Sequence, residues 1–180
     1  MRIEKDNCTG LIIDIQERLF PHMFEKETML RNTEILIKGL QTLNVPIMIT
    51  EQYTKGLGLT VEPIRSLFPS FAPLEKISFS CCDDENFERN LKSLSKKYVI
   101  IAGIEAHVCV LQTALDLLEQ DYTPVIVEDC ISSRKTHDKV IALSRIMESG
   151  GVITTYESIL FELTRYAGTD TFKAISRLVK

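Results

Sequence analysis

The 180-residue chain lacks several features that would each announce a class of function. No stretch approaches the roughly 20 apolar residues that would span a bilayer. Positive charge is not in excess, since 21 Lys and Arg stand against 25 Asp and Glu, a formal charge of -4. Phosphate neutralisation needs a basic surface, so nucleic acid is not an expected partner, and neither is a membrane. Histidine is scarce, with three in all. No Cys-x-x-Cys occurs and no zinc-ligand spacing can be assembled, so no metal or other cofactor is expected. Neither GxGxxG nor GxxxxGK(S/T) occurs, and Gly56 and Gly58 are too few for a phosphate loop. Low-complexity runs, internal repeats and linkers are missing too, which argues against disorder and against a second domain.

What is present is ordinary for a globular protein: 44% hydrophobic and 26% charged residues. One domain over residues 1–180 is expected, large enough to bury roughly 70% of its unfolded surface without staples. Cys8, Cys81, Cys82, Cys109 and Cys130 cannot all pair within the chain, which suggests free thiols in a reducing compartment. Met1 to Cys8 is charged and runs directly into apolar sequence, leaving no room for a signal peptide. The cytoplasm is the expected location, with a mitochondrial address left open.

The pattern predicts strands over 9–14, 45–50, 74–79, 98–102, 124–128 and 151–155. Helices are predicted over 28–43, 61–68, 83–96, 108–119 and 135–149, with one or two more at the end. Residues 54–58 read as a loop and Gly103 as a turn. Alternating strands and helices imply right-handed crossovers, hence an α/β fold: three layers, with a mainly parallel central sheet of about six strands. Ligands in such sheets bind beyond the carboxyl ends of the strands, where the strand order reverses.

Three reactive residues fall at those ends. Cys109, in Gly-Ile-Glu-Ala-His-Val-Cys, opens a helix whose first N–H groups favour a thiolate and can hold an oxyanion. Its bland alternative is a small apolar residue packed under the sheet. Asp14 closes the first strand, and could instead cap the next segment. Lys76, flanked by Ile77 and Phe79, suggests a partly buried ammonium needing a partner such as Asp14, or else a side chain reaching the surface. His107 could form a dyad with Cys109, although residues two apart need not face each other. Phe20, Tyr53 and Phe79 near strand ends could wall a pocket, and Gln16 and Gln52 could contact a substrate; core packing is the alternative for the aromatics.

Taken together, these segments resemble the isochorismatase-like cysteine hydrolase superfamily over nearly the whole chain. The resemblance rests on Leu11-Ile-Ile-Asp14-Ile-Gln16, Thr50-Glu-Gln-Tyr53, Glu75-Lys76-Ile-Ser-Phe79, Gly103-Ile-Glu-Ala-His-Val-Cys109-Val, Val127-Glu-Asp129 and Gly151-Val-Ile-Thr-Thr155. It implies a catalytic triad of Asp14, Lys76 and Cys109. It also implies a cis peptide at Ile104–Glu105, and an oxyanion hole from the N–H of Cys109 with that of Glu105 or Ala106. A small-molecule amide or related C–N bond would then be cleaved through a Cys109 thioester, with no cofactor.

Two departures narrow the branch. Nicotinamidases of this superfamily bind a metal through Asp-x-His after the second strand; Gln52 and Thr54 stand in those places here. True isochorismatases lack the nucleophilic cysteine. The stretch from Thr50 to Gly58 is most similar to the metal-free branch that includes the isochorismatase domain-containing proteins. The family commonly forms homo-oligomers, a dimer or larger, and Ile159, Leu160, Phe161 and Leu163 are candidates for a subunit interface or equally for the core. Two other readings stay open: a silent interaction or regulatory module, and a thiol redox sensor pairing Cys109 with Cys81 or Cys82.

Overall fold

The computed structural model describes residues 2–180. Strand β1 (Cys8–Ile13) is buried at every position, as expected of a strand covered on both faces. It pairs in parallel with β2 (Ile47–Gln52) on one side and β4 (Tyr98–Ile104) on the other. Beyond these lie β3 (Leu74–Lys76), β5 (Thr123–Ser132) and β6 (Val152–Thr154), giving the all-parallel order β3-β2-β1-β4-β5-β6. The order reverses between β1 and β4, so a crevice opens at their carboxyl ends.

Side-chain alternation splits the core into two layers. Ile12, Ile49, Ile100 and Val125 face helices α1 (Lys26–Thr42), α7 (Tyr156–Thr164) and α8 (Asp170–Leu178). Leu11, Ile13, Val99 and Ile101 face α4 (Glu85–Leu94), α5 (Leu111–Glu119) and α6 (Thr136–Glu148). Two single turns, α2 (Thr54–Leu57) and α3 (Glu62–Arg65), follow β2. Helix α4 starts where its acidic opening suggests: the Asp84 carboxylate accepts from the N–H groups of Asn86 and Phe87. Among the described residues no helix is long and apolar enough to cross a membrane.

Several boundaries differ from the sequence pattern for identifiable reasons. Residues 54–57 form the turn α2 rather than a loop. Strand β2 begins two residues late because Pro46 has no N–H; its carbonyl alone joins the sheet, accepting from Gly10. Strand β3 stops at Lys76, whose ammonium pulls the carbonyls of Ser78 and Phe79 back toward itself. Strand β5 runs on to Ser132, past a register shift, and pairs Ile131 with Gly103. Gly103 is therefore a strand residue and not a turn. Of the two readings of the C-terminal apolar residues the structure takes the core: Ile159, Leu160 and Leu163 are buried against α1, and Phe161 packs partly over the same layer.

Gly103 holds β4 against β1 at the crevice. Its φ is +142°, and an added Cβ would lie 2.3 Å from the carbonyl oxygen of Ile13, which is backbone and cannot step aside. Gly103→Ala is accordingly expected to destabilise the protein by about 3 kcal/mol or more in urea unfolding. An unchanged unfolding midpoint would show that the strands can part at no cost.

Candidate active site

Asp14 follows the last residue of β1 with φ +52°, which turns its side chain across the end of the sheet. Both carboxylate oxygens are held. Oδ1 accepts from the Thr50 hydroxyl at 2.7 Å, and Oδ2 accepts from Lys76 Nζ at 2.7 Å. The ion pair is shielded from solvent, with side-chain exposures of 0% for Asp14 and 1% for Lys76. Lys76 also donates to the carbonyls of Ser78 at 3.0 Å and Phe79 at 3.1 Å, so its three protons meet three acceptors. Burial by itself would pull the lysine down; the charge of the Asp14 carboxylate and the hydrogen bond to it act the other way, and the ammonium stays above its usual range.

Cys109 reaches the same place from the other side of the crevice. It sits in a five-residue π turn, Ala106–Val110, that bridges β4 and α5. The Ile104–Glu105 peptide before it is cis, as the resemblance implied. A thiolate favoured at rest by the helix start is not what the site sets up. Burial pushes the thiol up, and the Asp14 charge pushes it further against the opposing Lys76. Burial and the Asp14 carboxylate thus both favour the protonated form of Cys109.

The other candidate residues divide. His107 is turned away from Cys109: its Nδ1 lies 2.9 Å from Ser133 Oγ and its Nε2 4.0 Å from Asp138, so the dyad does not form. Glu105 is buried and gripped by Arg134 through Nε, Nη2 and its backbone N–H, which ties the approach to Cys109 to the end of β5. Gln16 is fully buried: its Nε2 donates to the carbonyls of Gln52 and Gly58, and its Oε1 accepts from the Gln52 N–H. It clamps β2 from behind. Gln52 turns its own amide toward the site, 3.7 Å from Cys109 Sγ.

A cavity of about 500 Å³ opens over the thiol. Tyr53 and Phe79 line it together with Leu19, Leu57, Ile77 and Val108, while Gln52, Glu105 and Cys109 form its floor. Phe20 is not among the lining residues. It lies in a 3-10 turn and packs against the α1 layer, and its neighbour Leu19 takes the place at the cavity. Ile77 and Phe79 are 72% and 53% exposed, so they rim the cavity and do not cover Lys76. Thr50, Leu19, Leu57 and Val108 were not singled out from sequence. Thr50 had one available signal, its place on the same strand face as Gln52.

The family model for the isochorismatase domain matches residues 9–158. The chain belongs to the isochorismatase family. Isochorismatase family protein 1B of Dictyostelium discoideum is 41% identical, over 99% of this chain and 89% of its own. Isochorismatase domain-containing protein 2 of Danio rerio is 38% identical, again over 99% and 89%. Among solved structures, a MAR1 ribonuclease from Caenorhabditis elegans superposes with TM-score 0.93 at 33% identity, covering 99% of this chain and 92% of that one. YcaC from Pseudomonas aeruginosa, solved with hexane-2,5-diol and covalent acrylamide, gives 0.90 at 26%, covering 97% and 89%. In this isochorismatase-family chain Gln52 donates to the backbone carbonyls of Ile77 and Ser78, and the Thr54 hydroxyl donates to Glu75.

Two stability measurements follow. Thr50→Val leaves Asp14 Oδ1 without its hydroxyl donor in a dry site and is expected to cost about 1–3 kcal/mol, with Thr50→Ser recovering most of it; equal losses in the two would assign Thr50 to packing. The second concerns pH. Burial pushes Cys8, Cys81 and Cys82 up to about 12, and Cys109 and Cys130 are raised as well. An unfolded thiol titrates near 8.5. Above that the unfolded chain binds fewer protons than the native one, so stability holds below about pH 8 and falls from about 9 toward 12. A urea midpoint that does not move between pH 7.5 and 10 would contradict this.

Proposed function

We propose that this chain is a cysteine hydrolase of the amidase type, which cleaves a small amide or related C–N bond through a thioester on Cys109. The observation that carries the reading is the buried Lys76–Asp14 pair set against a neutral thiol at the floor of an apolar cavity. A neutral thiol is a poor nucleophile, and a carboxylate beside it is a base. Asp14 takes the thiol proton, and Lys76 keeps Asp14 oriented and balances the charge that builds up. The sulfur pair then forms the S–C bond while the carbonyl pair moves to oxygen.

The resulting oxyanion is held by the N–H of Cys109 together with that of Glu105 or Ala106. Its collapse breaks the C–N bond, and the amine leaves with the proton from Asp14. Water, deprotonated by the same carboxylate, releases the acid and restores the thiol. Tyr53 and Phe79 give the substrate aromatic walls, Gln52 a polar contact, and no step needs a metal or cofactor.

The half-exposed apolar rim of Tyr53, Ile77 and Phe79 suits a homo-oligomer of two or more copies, and the cytoplasm is the proposed location. The Caenorhabditis elegans neighbour carries the name ribonuclease. Among the described residues that line this cavity there is no cation to take a phosphate, and nearby Lys76 spends all three protons on Asp14, Ser78 and Phe79. The redox-sensor reading needs an accessible resolving thiol; Cys81 and Cys82 are buried and raised to about 12.

Ammonia release over a panel of small amides and ureides tests the proposal. Cys109→Ala and Asp14→Asn are each expected to lower turnover by about a thousandfold or more. Turnover that survives Cys109→Ala would remove the thioester. Silence of the wild type across the panel would favour the interaction-module reading.

A further inference from the structure

The orientation of the Gln52 side-chain amide follows from its neighbours. Nε2 lies 3.2 Å from the carbonyl oxygen of Ile77 and 3.3 Å from that of Ser78. Carbonyl oxygens only accept, so the NH2 end must face them, and both its protons are used there. The amide oxygen is thereby directed toward the cavity, where its partner is Cys109 Sγ at 3.7 Å. The main chain of Gln52 cannot swing aside, because Gln16 holds its N–H at 2.8 Å and its carbonyl at 2.9 Å. With the residue 8% exposed, the oxygen is a fixed and largely dry acceptor beside the sulfur.

At rest that acceptor has one donor, the thiol proton, which Asp14 also draws, so an N–H placed at Oε1 lets the thiol turn its proton to Asp14 and adds a hydrogen bond even before the proton moves. Once the proton passes to Asp14, Oε1 faces a thiolate, which has no hydrogen to offer. Of the walls above it, Leu19, Leu57, Ile77, Phe79 and Val108 carry no donor; the Tyr53 hydroxyl does, but Tyr53 is half-exposed at the rim of the cavity. An incoming group with an N–H next to the attacked carbonyl carbon restores the lost hydrogen bond. An ester or thioester places a lone pair there instead, acceptor against acceptor, and leaves a buried oxygen unpaired.

We propose that Gln52 Oε1 is the specificity-determining acceptor of this site, and that it selects carbonyl substrates bearing N–H on the leaving nitrogen. The substrate class is therefore primary and secondary amides and ureido groups; esters, thioesters and N,N-disubstituted amides are disfavoured. In the acylation step Gln52 holds that N–H while the nitrogen lone pair takes the proton from Asp14, so the bond it makes lasts until ammonia or an amine departs. This inference rests on the nucleophile reading of Cys109 and adds to it the reason for amide over ester.

N-methylacetamide and methyl acetate differ at the tested position only by NH in place of O, and either can shield Cys109 without being consumed on the timescale of labelling. Cys109 is labelled with methyl methanethiosulfonate, which carries no N–H, and the site is read by peptide mass spectrometry as each compound is titrated in. The half-protecting concentration of N-methylacetamide is expected to be about fivefold lower than that of methyl acetate. In Gln52→Met, which keeps the length of the side chain, the two concentrations should converge. Equal protection in the wild type, or no protection by either compound, overturns the role of Gln52 and leaves the nucleophile intact. Labelling of Cys109 no faster than that of buried Cys81 removes the nucleophile reading, and this inference with it. If Gln52→Met fails to fold, the wild-type ratio still decides.

Discussion

A lysine ammonium and an aspartate carboxylate 2.7 Å apart, both cut off from water, set the terms for the whole carboxyl end of the sheet. Taking two such charges out of water costs several kcal/mol for each, and their attraction offsets this only when every remaining donor and acceptor is met. The surrounding chain meets them. Thr50 on β2 supplies the second donor to Asp14, while Ser78 and Phe79 supply the remaining acceptors for Lys76. Turning those two carbonyls inward ends β3 at Lys76 and swings the side chains of Ile77 and Phe79 outward. The apolar rim of the cavity is thus a by-product of satisfying a buried ammonium.

Rigidity around the thiol has the same character. Gln16, at the end of β1, binds the main chain of Gln52 at two points, and Gln52 in turn binds the main chain beyond β3. On the opposite side Glu105 and Arg134 join the start of the π turn to the end of β5. Polar groups buried in this way are costly if any member is left unpaired, which makes the arrangement cooperative. Cys109 sits between the two networks, at the reversal of strand order, where neither wall can drift.

Family membership alone leaves the chemistry open, because relatives on this fold carry different names and the same sheet can present different sites. The particulars narrow it. A thiol raised by burial and by a neighbouring carboxylate does not act as a standing thiolate, as many redox cysteines do. On the proposed reading it acts when its proton is taken, which couples reactivity to a substrate that can use that proton. An amide leaving group needs one; an ester leaving group needs it far less.

The local sequence carried the layered α/β fold, because near-continuous apolar runs such as 9–13 and 98–102 and amphipathic helices between them admit few other arrangements. It also carried Asp14 at the end of the first strand, Lys76 within the third and Cys109 just after the fourth, and their resemblance to a family. Boundaries were lost where tertiary contacts override local pattern: at Gly103, which follows an apolar run like any turn glycine yet is needed where β4 meets the backbone of β1, and at Lys76, which ends β3 for electrostatic reasons. Phe20 and Leu19 are adjacent aromatic and aliphatic residues, and only the 3-10 turn decides which of them faces the cavity. The direction of the Cys109 shift was likewise out of reach. A helix start and a nearby lysine both argue for a thiolate, and the opposite result comes from burial and from Asp14, 95 residues away along the chain. Residue types and their periodicity are local properties, whereas dielectric and hydrogen-bond saturation exist only once distant segments have been packed together.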